Sequence, residues 1–166
     1  MTRIELKKKR EHDKRIGYQK ACRRIIAYQI DNWKTEHNAT YTGRTHHLDH
    51  LIPFALIVDC FRELIKTYLN CKKLPTSISE FSSIGKMFAK YHNAVAEYEL
   101  IPAKDNLTKA SGQTRTKLYG LDLETFKLYA IKCKKEFLKL TDGVSVAVNC
   151  KRVPKPQQSL QEYCSR

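Results

Sequence analysis

The sequence lacks the features of a membrane-spanning protein, of a secreted protein and of a protein with a structural zinc site. No run of about 18 apolar residues occurs, so no helix is expected to span a membrane. Residues 1–10 are polar and charged, which argues against a secretory signal. No two cysteines have the Cys-x-x-Cys spacing, so a structural zinc site with paired ligands is not expected. The six cysteines are scattered, which favours a reducing, intracellular setting in cytoplasm or nucleus.

Acidic residues are scarce relative to basic ones. The chain has 31 Lys and Arg against 17 Asp and Glu, a net charge of +14. Such an excess favours a polyanion partner over a membrane surface, because no long stretch combines a basic face with a bulky apolar face. The length of 166 residues suits one domain with its own core. We expect that domain over residues 1–150, and a flexible tail with two prolines over residues 151–166.

Hydrophobic periodicity predicts a mostly helical chain of the α+β class with one small sheet. Residues 1–36 hold a single glycine and no proline, and they read as one long basic helix. Apolar residues at helical spacing predict a two-helix insertion over residues 54–96 and a C-terminal helix over residues 121–141. Short apolar runs at 46–53 and 97–103 read as strands, and a further short strand is expected at 143–148.

Polar residues mark where two of these helices should begin. Ser77 and Glu80 have the spacing of a capping box, so the second helix of the insertion is expected to start there, with Phe81 on its buried side. Asp122 is expected to cap the C-terminal helix.

The long N-terminal helix carries charge that is nearly all positive. Two interpretations remain open, a solvated charged face and a phosphate-binding surface. Aromatic residues in or near this helix are expected to pack in the core, with base stacking as the alternative. The residues concerned are Lys7, Lys8, Lys9, Arg10, Lys14, Arg15, Lys20, Arg23 and Arg24, and the aromatic Tyr18, Tyr28, Trp33 and Tyr41.

Asp49 and His50 together could serve a phosphodiesterase. A carboxylate is a hard ligand suited to Mg²⁺ or Mn²⁺, and a histidine with a pKa near ~6.5 can take a proton from water at neutral pH. Adjacent residues on a regular strand point to opposite faces, so joint action on one metal and one water requires a strand end, a bulge or a loop. Pro53 shortly afterwards fits a strand exit.

A second set of polar residues follows the second apolar run. Asn106 comes four residues after Pro102, and Lys109 follows it with the spacing Asn-x-x-Lys. An amide oxygen from a following helix and a neighbouring lysine would complete a one-metal phosphodiesterase site.

These two segments resemble the HNH endonucleases, also called ββα-metal or His-Me finger nucleases. The matching residues are Asp49-His50-Leu51-Ile52-Pro53-Phe54, then Leu100-Ile101-Pro102, then Asn106-Leu107-Thr108-Lys109, about a third of the chain once the strands are counted. The resemblance implies that Asp49 and Asn106 hold one Mg²⁺ or Mn²⁺, that His50 is the general base, and that Lys109 contacts phosphate or braces the loop.

The chain departs from the family pattern in two places. Glu99 stands where the family has an asparagine before Leu-Ile-Pro, and the spacing to Asn106 is about two residues shorter than usual. In an alternative register Asn106 is the structural asparagine and Gln113 is the helix ligand. His47 is a further candidate for the site, since His-x-Asp-His clusters recur in the family.

The resemblance implies a metal-dependent endonuclease of phage or mobile-element type, acting on nucleic acid with double-stranded DNA favoured. The products would carry 5′ phosphate and 3′ hydroxyl ends, and a homodimer would supply one site for each strand. The alternatives are a non-catalytic basic nucleic-acid-binding module, in the form of a degenerate HNH domain, and a helical protein-interaction domain. Candidate phosphate contacts are Arg44, Lys104, Lys109, Arg115 and Lys117.

Overall fold

In the computed structural model, residues 2–37, 45–69, 78–106 and 119–141 are described. They form six helices and one two-stranded antiparallel sheet, which confirms the expected mostly helical α+β class. In chain order the elements are α1 (Arg3–Ile25), α2 (Ala27–Glu36), β1 (His46–His50), α3 (Phe54–Leu69), α4 (Ser83–Val95), β2 (Tyr98–Pro102), α5 (described over residues 103–106) and α6 (Leu123–Thr141).

The N-terminal segment is two helices rather than the single helix expected. Helix α1 begins at a capping box, in which the Thr2 hydroxyl accepts from the Glu5 N–H at 3.3 Å. It ends at Ile26, whose backbone (φ −96°, ψ 2°) leaves the helical range before α2 starts. Ile25 and Ile26, which are both buried, lie at this break between the two helices.

Helices α3, α4 and α6 enclose an aromatic core. The Phe61 ring lies 5.1 Å from Tyr91 and 5.9 Å from Phe137, measured between ring centroids. The buried apolar residues form one cluster, to which α1 also contributes. Helix α3 begins at Phe54, where the predicted insertion begins, and α6 begins as expected after Asp122, whose carboxylate accepts from the Thr125 N–H at 2.8 Å.

Helix α4 starts later than the sequence suggested. The expected capping box with Glu80 is wrong, because Ser82 is the N-cap and its hydroxyl accepts from the Gly85 N–H at 3.0 Å. The same hydroxyl donates to the Ser79 carbonyl oxygen at 2.7 Å, which closes a turn ahead of the helix. Phe81 lies in that turn and is 81% exposed, so its expected place in the core is also wrong.

The two strands pair in a regular register that positions the candidate site. His46 lies opposite Pro102, Asp49 opposite Glu99, and His50 opposite Tyr98. The strands are shorter than expected but lie within the predicted runs, and the two helices α3 and α4 form the insertion between them. The predicted strand at 143–148 and the tail at 151–166 lie outside the described residues.

Candidate metal and nucleic-acid site

Strands β1 and β2 and the start of α5 form a ββα unit. Helix α5 follows β2 directly, and the Ala103 N–H donates to the Thr45 carbonyl oxygen at 2.9 Å, just ahead of β1. This bond closes the open end of the sheet and fixes where α5 begins. The helix therefore starts beside the N-terminal half of β1.

Alternation along the paired strands decides which side chains share a face. His47 and Asp49 are two positions apart on β1, so their side chains point to the same face of the sheet. Ile101 and Glu99 lie directly opposite them on β2, and residues directly opposite one another on antiparallel strands share a face, so these two belong to the same surface. We call this surface, with Asn106 of α5, the ββα face. His50 points to the other side of the sheet.

Helix α5 brings Asn106 to His47. Asn106 Nδ2 lies 3.2 Å from His47 Nδ1, although 59 positions separate the two residues in the sequence. Both side chains are half-buried. The imidazole of His47 and the amide of Asn106 are thus in contact, and the Asp49 carboxylate lies on the same face as His47. His47 is therefore a site candidate on geometry as well as on sequence.

Two carboxylates, Asp49 and Glu99, face one another across the strands. Like charges directly opposite repel, and a cation between them, whether a side chain or a metal ion, relieves that repulsion. The carboxylate, amide and imidazole groups of this face suit a hard divalent cation that keeps several water ligands. Within the part of the chain that is described, no three His, Cys, Asp or Glu side chains form a ready metal cage.

His50 lies apart from this face. Its side chain is 8% exposed, and its ring packs against Phe54 and Tyr98 at centroid distances of 5.1 and 4.8 Å. The β ladder is unbroken through His50, and the Leu51 N–H continues the pairing to the Glu97 carbonyl oxygen at 2.9 Å. No bulge brings its imidazole round to Asp49.

Instead, His50 belongs to a buried hydrogen-bonded chain that sequence reasoning missed. His50 Nε2 lies 3.0 Å from His92 Nε2, and His92 Nδ1 lies 2.6 Å from Gln29 Oε1. Since the Gln29 oxygen can only accept, His92 Nδ1 carries a proton and His92 Nε2 accepts from His50 Nε2–H. Gln29 Nε2 in turn donates to the Ala89 carbonyl oxygen at 2.7 Å.

Burial sets the protonation state of His92. The side chain is fully buried, and desolvation, followed by the nearby His50, lowers the pKa of His92 to about 3. His92 is therefore neutral at physiological pH. Its position on the apolar side of α4, one residue after Tyr91 and four after Phe88, was the available sequence signal for burial.

The candidate phosphate-binding side chains are described in part. Lys104 lies on α5 and is exposed. In α1, residues 4–14 are exposed throughout, so this basic stretch projects from the core as a solvated helical arm. The remaining candidates, Arg44, Lys109, Gln113, Arg115 and Lys117, lie outside the described residues.

Comparison with known proteins finds no relative of this chain. No protein-family model matches the chain, and no curated protein or solved structure matches it. Of the helices described, none has the length and apolar content to cross a membrane.

Proposed function

We propose that this protein is a metal-dependent nuclease that hydrolyses phosphodiester bonds in nucleic acid, with DNA the favoured substrate. The ββα face is its active centre. The contact between Asn106 and His47 carries the proposal, because it joins the two sequence motifs in one ββα unit. The net charge of +14 supports a polyanionic substrate.

The roles on the ββα face follow from the chemistry of the side chains. The Asp49 carboxylate and the Asn106 amide oxygen are the groups that would hold Mg²⁺ or Mn²⁺. Such an ion, when bound, stabilises negative charge that develops on the phosphate and on the leaving oxygen. Glu99 lies across from Asp49 and adds negative charge to the same surface.

His47 is the better-placed general base, because it shares a face with Asp49 and contacts Asn106. The Asn106 amide orients its ring through Nδ1. To accept the proton of the attacking water at Nε2, His47 must carry its own proton on Nδ1. The Asn106 oxygen then accepts from Nδ1–H through one lone pair and would hold the metal through the other, in the amide orientation opposite to the present one.

A matched pair of measurements tests this proposal. Mn²⁺ binding is followed by paramagnetic resonance, and plasmid nicking is followed with Mg²⁺, Mn²⁺ or EDTA. We expect metal-dependent nicking by the wild type. We expect Asp49→Asn, which keeps shape and removes charge, to weaken Mn²⁺ binding and to reduce nicking by at least about 100-fold. Nicking that persists in EDTA, or an Asp49→Asn variant with wild-type binding and rate, contradicts the proposal.

The second candidate is a non-catalytic nucleic-acid-binding module. The buried position of His50, bonded to His92, favours it, since the base expected from the sequence faces away from Asp49. This candidate predicts nucleic-acid binding that weakens steeply with salt and does not change when EDTA is added. Salt-sensitive binding without nicking in any metal would favour the module over the nuclease.

A further inference from the structure

A groove with a volume of about 800 Å³ lies on the other side of the sheet from the ββα face. Helices α2 and α4 form its walls, and the first residue of β2 reaches it. We call it the α2–α4 groove, and its lining includes Tyr28, Asn32, Trp33, Asn93 and Tyr98. This volume is sufficient for a nucleotide-sized ligand.

Aromatic rings form one wall of the groove. Tyr28 is 55% exposed, so the expected packing of this ring in the core is wrong. The Trp33 ring stacks on His37 with centroids 4.1 Å apart and an interplanar angle of 14°, and Tyr98 lies 5.8 Å from Trp33. Flat, rigid rings in an open groove suit stacking against a planar ligand.

Polar groups of the groove match the edge of a planar heterocycle. Asn32 and Asn93 each offer an amide donor and acceptor side by side, and neither side chain hydrogen-bonds to another residue within the described ranges. Gln29, by contrast, is hydrogen-bonded to Ala89 and His92, and its Nε2 also donates to the Tyr28 hydroxyl at 3.2 Å, so it forms a fixed floor. The groove therefore has uncommitted amides above a rigid base.

The charges of the groove disfavour phosphate as the group bound inside it. Its ionisable lining residues are Glu36 and Glu97 with Lys90 and His37, so no cluster of cations is present among them. The phosphates of a nucleic acid are better held elsewhere on this strongly basic chain. The uncharged, planar part of a nucleotide is what the groove fits.

The groove also has a fixed relation to the ββα face. Tyr98 lines the groove, and the next residue, Glu99, lies across from Asp49 on the opposite side of the same sheet. The groove and the ββα face therefore lie on opposite sides of one two-stranded sheet.

We propose that the α2–α4 groove binds one unpaired nucleobase next to the bond that is cut. This inference rests on the proposed nuclease function and deepens it, because it makes the substrate a strand with at least one unpaired base. Stacking on Tyr28 and Trp33 supplies affinity, and Asn32 and Asn93 contact the base edge.

Trp33 provides the test, because it is the only tryptophan of the chain. Its fluorescence is measured on the full chain in EDTA during titration with oligothymidylate and with an abasic oligonucleotide of equal length. We expect saturable quenching by oligothymidylate and about tenfold weaker binding of the abasic strand. Tyr28→Ala and Asn93→Ala should each weaken the oligothymidylate titration, Tyr28→Ala by about tenfold. Phe81→Ala removes an exposed aromatic side chain that lies outside the groove, so this control variant should give the wild-type titration.

Equal quenching by the abasic strand, or unchanged titrations in both groove variants with wild-type circular dichroism, overturns the inference. So does a response to a lysine-rich peptide but not to oligothymidylate. Metal-dependent cleavage of the same oligothymidylate separates the two proposals. Cleavage without a groove-dependent Trp33 response overturns the base site alone, whereas the response without cleavage in Mg²⁺ or Mn²⁺ supports the base site and contradicts the nuclease.

Discussion

At the scale of single residues, the buried imidazole of His92 makes stability depend on pH. Its pKa falls from 6.5 in the unfolded chain to about 3 in the fold, so below pH ~6.5 the unfolded state binds more protons. The contribution of this group is complete above pH 6.5 and is lost as the pH falls towards 3. The free energy of unfolding should fall by about 1.4 kcal/mol per pH unit within this window.

Urea unfolding at pH 7, 6 and 5 measures this effect. Carboxylates also titrate in acid, so the comparison is with His92→Gln, which has no titrating ring. We expect the variant to be less stable at pH 7 and to lose less stability between pH 7 and pH 5. Parallel curves for the two proteins would contradict a buried neutral His92.

The site residues could be predicted from the sequence only in part. The order Asp49, His50 and Asn106 is visible in the sequence, and so is His47 as a further candidate. The partner of His50 is not visible, because Gln29 and His92 come from two separate helices and meet only in the fold. Which of two adjacent strand residues faces the core depends on that packing rather than on the motif.

At the scale of secondary-structure elements, two glycines in helices should respond in opposite ways. A Cβ on Gly85 in α4 would overlap the Ser79 carbonyl oxygen, whereas nothing lies within 4 Å of a Cβ on Gly17 in α1. We expect Gly85→Ala to destabilise the protein by at least about 1 kcal/mol through strain at the helix start. Gly17→Ala should stabilise it by about 0.5–1 kcal/mol, because alanine favours the helix.

Thermal unfolding of the two alanine variants beside the wild type checks this pair. The changes in Tm should have opposite signs. Equal effects of the two substitutions would contradict the close approach of the Ser79 turn to α4.

Most helices and strands could be predicted because the spacing of apolar residues in the sequence indicates them directly. Helix α3 is apolar over most of its surface, and α6 has both a regular apolar stripe and a capping aspartate. Errors arose where local signals competed. At Ile26 a break interrupts a chain that local propensity keeps helical, and before α4 the Ser82 hydroxyl provides the cap that Ser77 was expected to provide.

At the scale of the whole molecule, the excess of positive charge should control nucleic-acid binding. Residues 4–14 of α1 are exposed, and four of them, Lys7 to Arg10, are consecutive cations. The logarithm of affinity falls as the logarithm of salt concentration rises. Replacing all four residues by alanine should make this fall less steep, by about 0.9 in slope for each phosphate of duplex DNA that these cations neutralise in the wild type. Folding should not change, since these side chains are solvated.

Fluorescence anisotropy with labelled duplex at several salt concentrations measures that slope. The control is a double variant at Lys66 and Lys139, which removes positive charge outside α1. These two lysines pair with Glu63 and Glu136 at 2.5 and 2.6 Å. An unchanged slope in the α1 variant would exclude the arm as a phosphate-binding surface.

We propose that the ββα face, and not the buried side of the sheet, is the active centre. Plasmid nicking in Mn²⁺ by His47→Ala and His50→Ala, both checked for folding, tests it most directly. We expect the nicking rate of His47→Ala to fall by at least about 100-fold. His50→Ala should be destabilised by about 1–3 kcal/mol, because His92 is left without its partner, yet nick at close to the wild-type rate below its Tm. Normal nicking by His47→Ala together with no nicking by a folded His50→Ala would contradict this account.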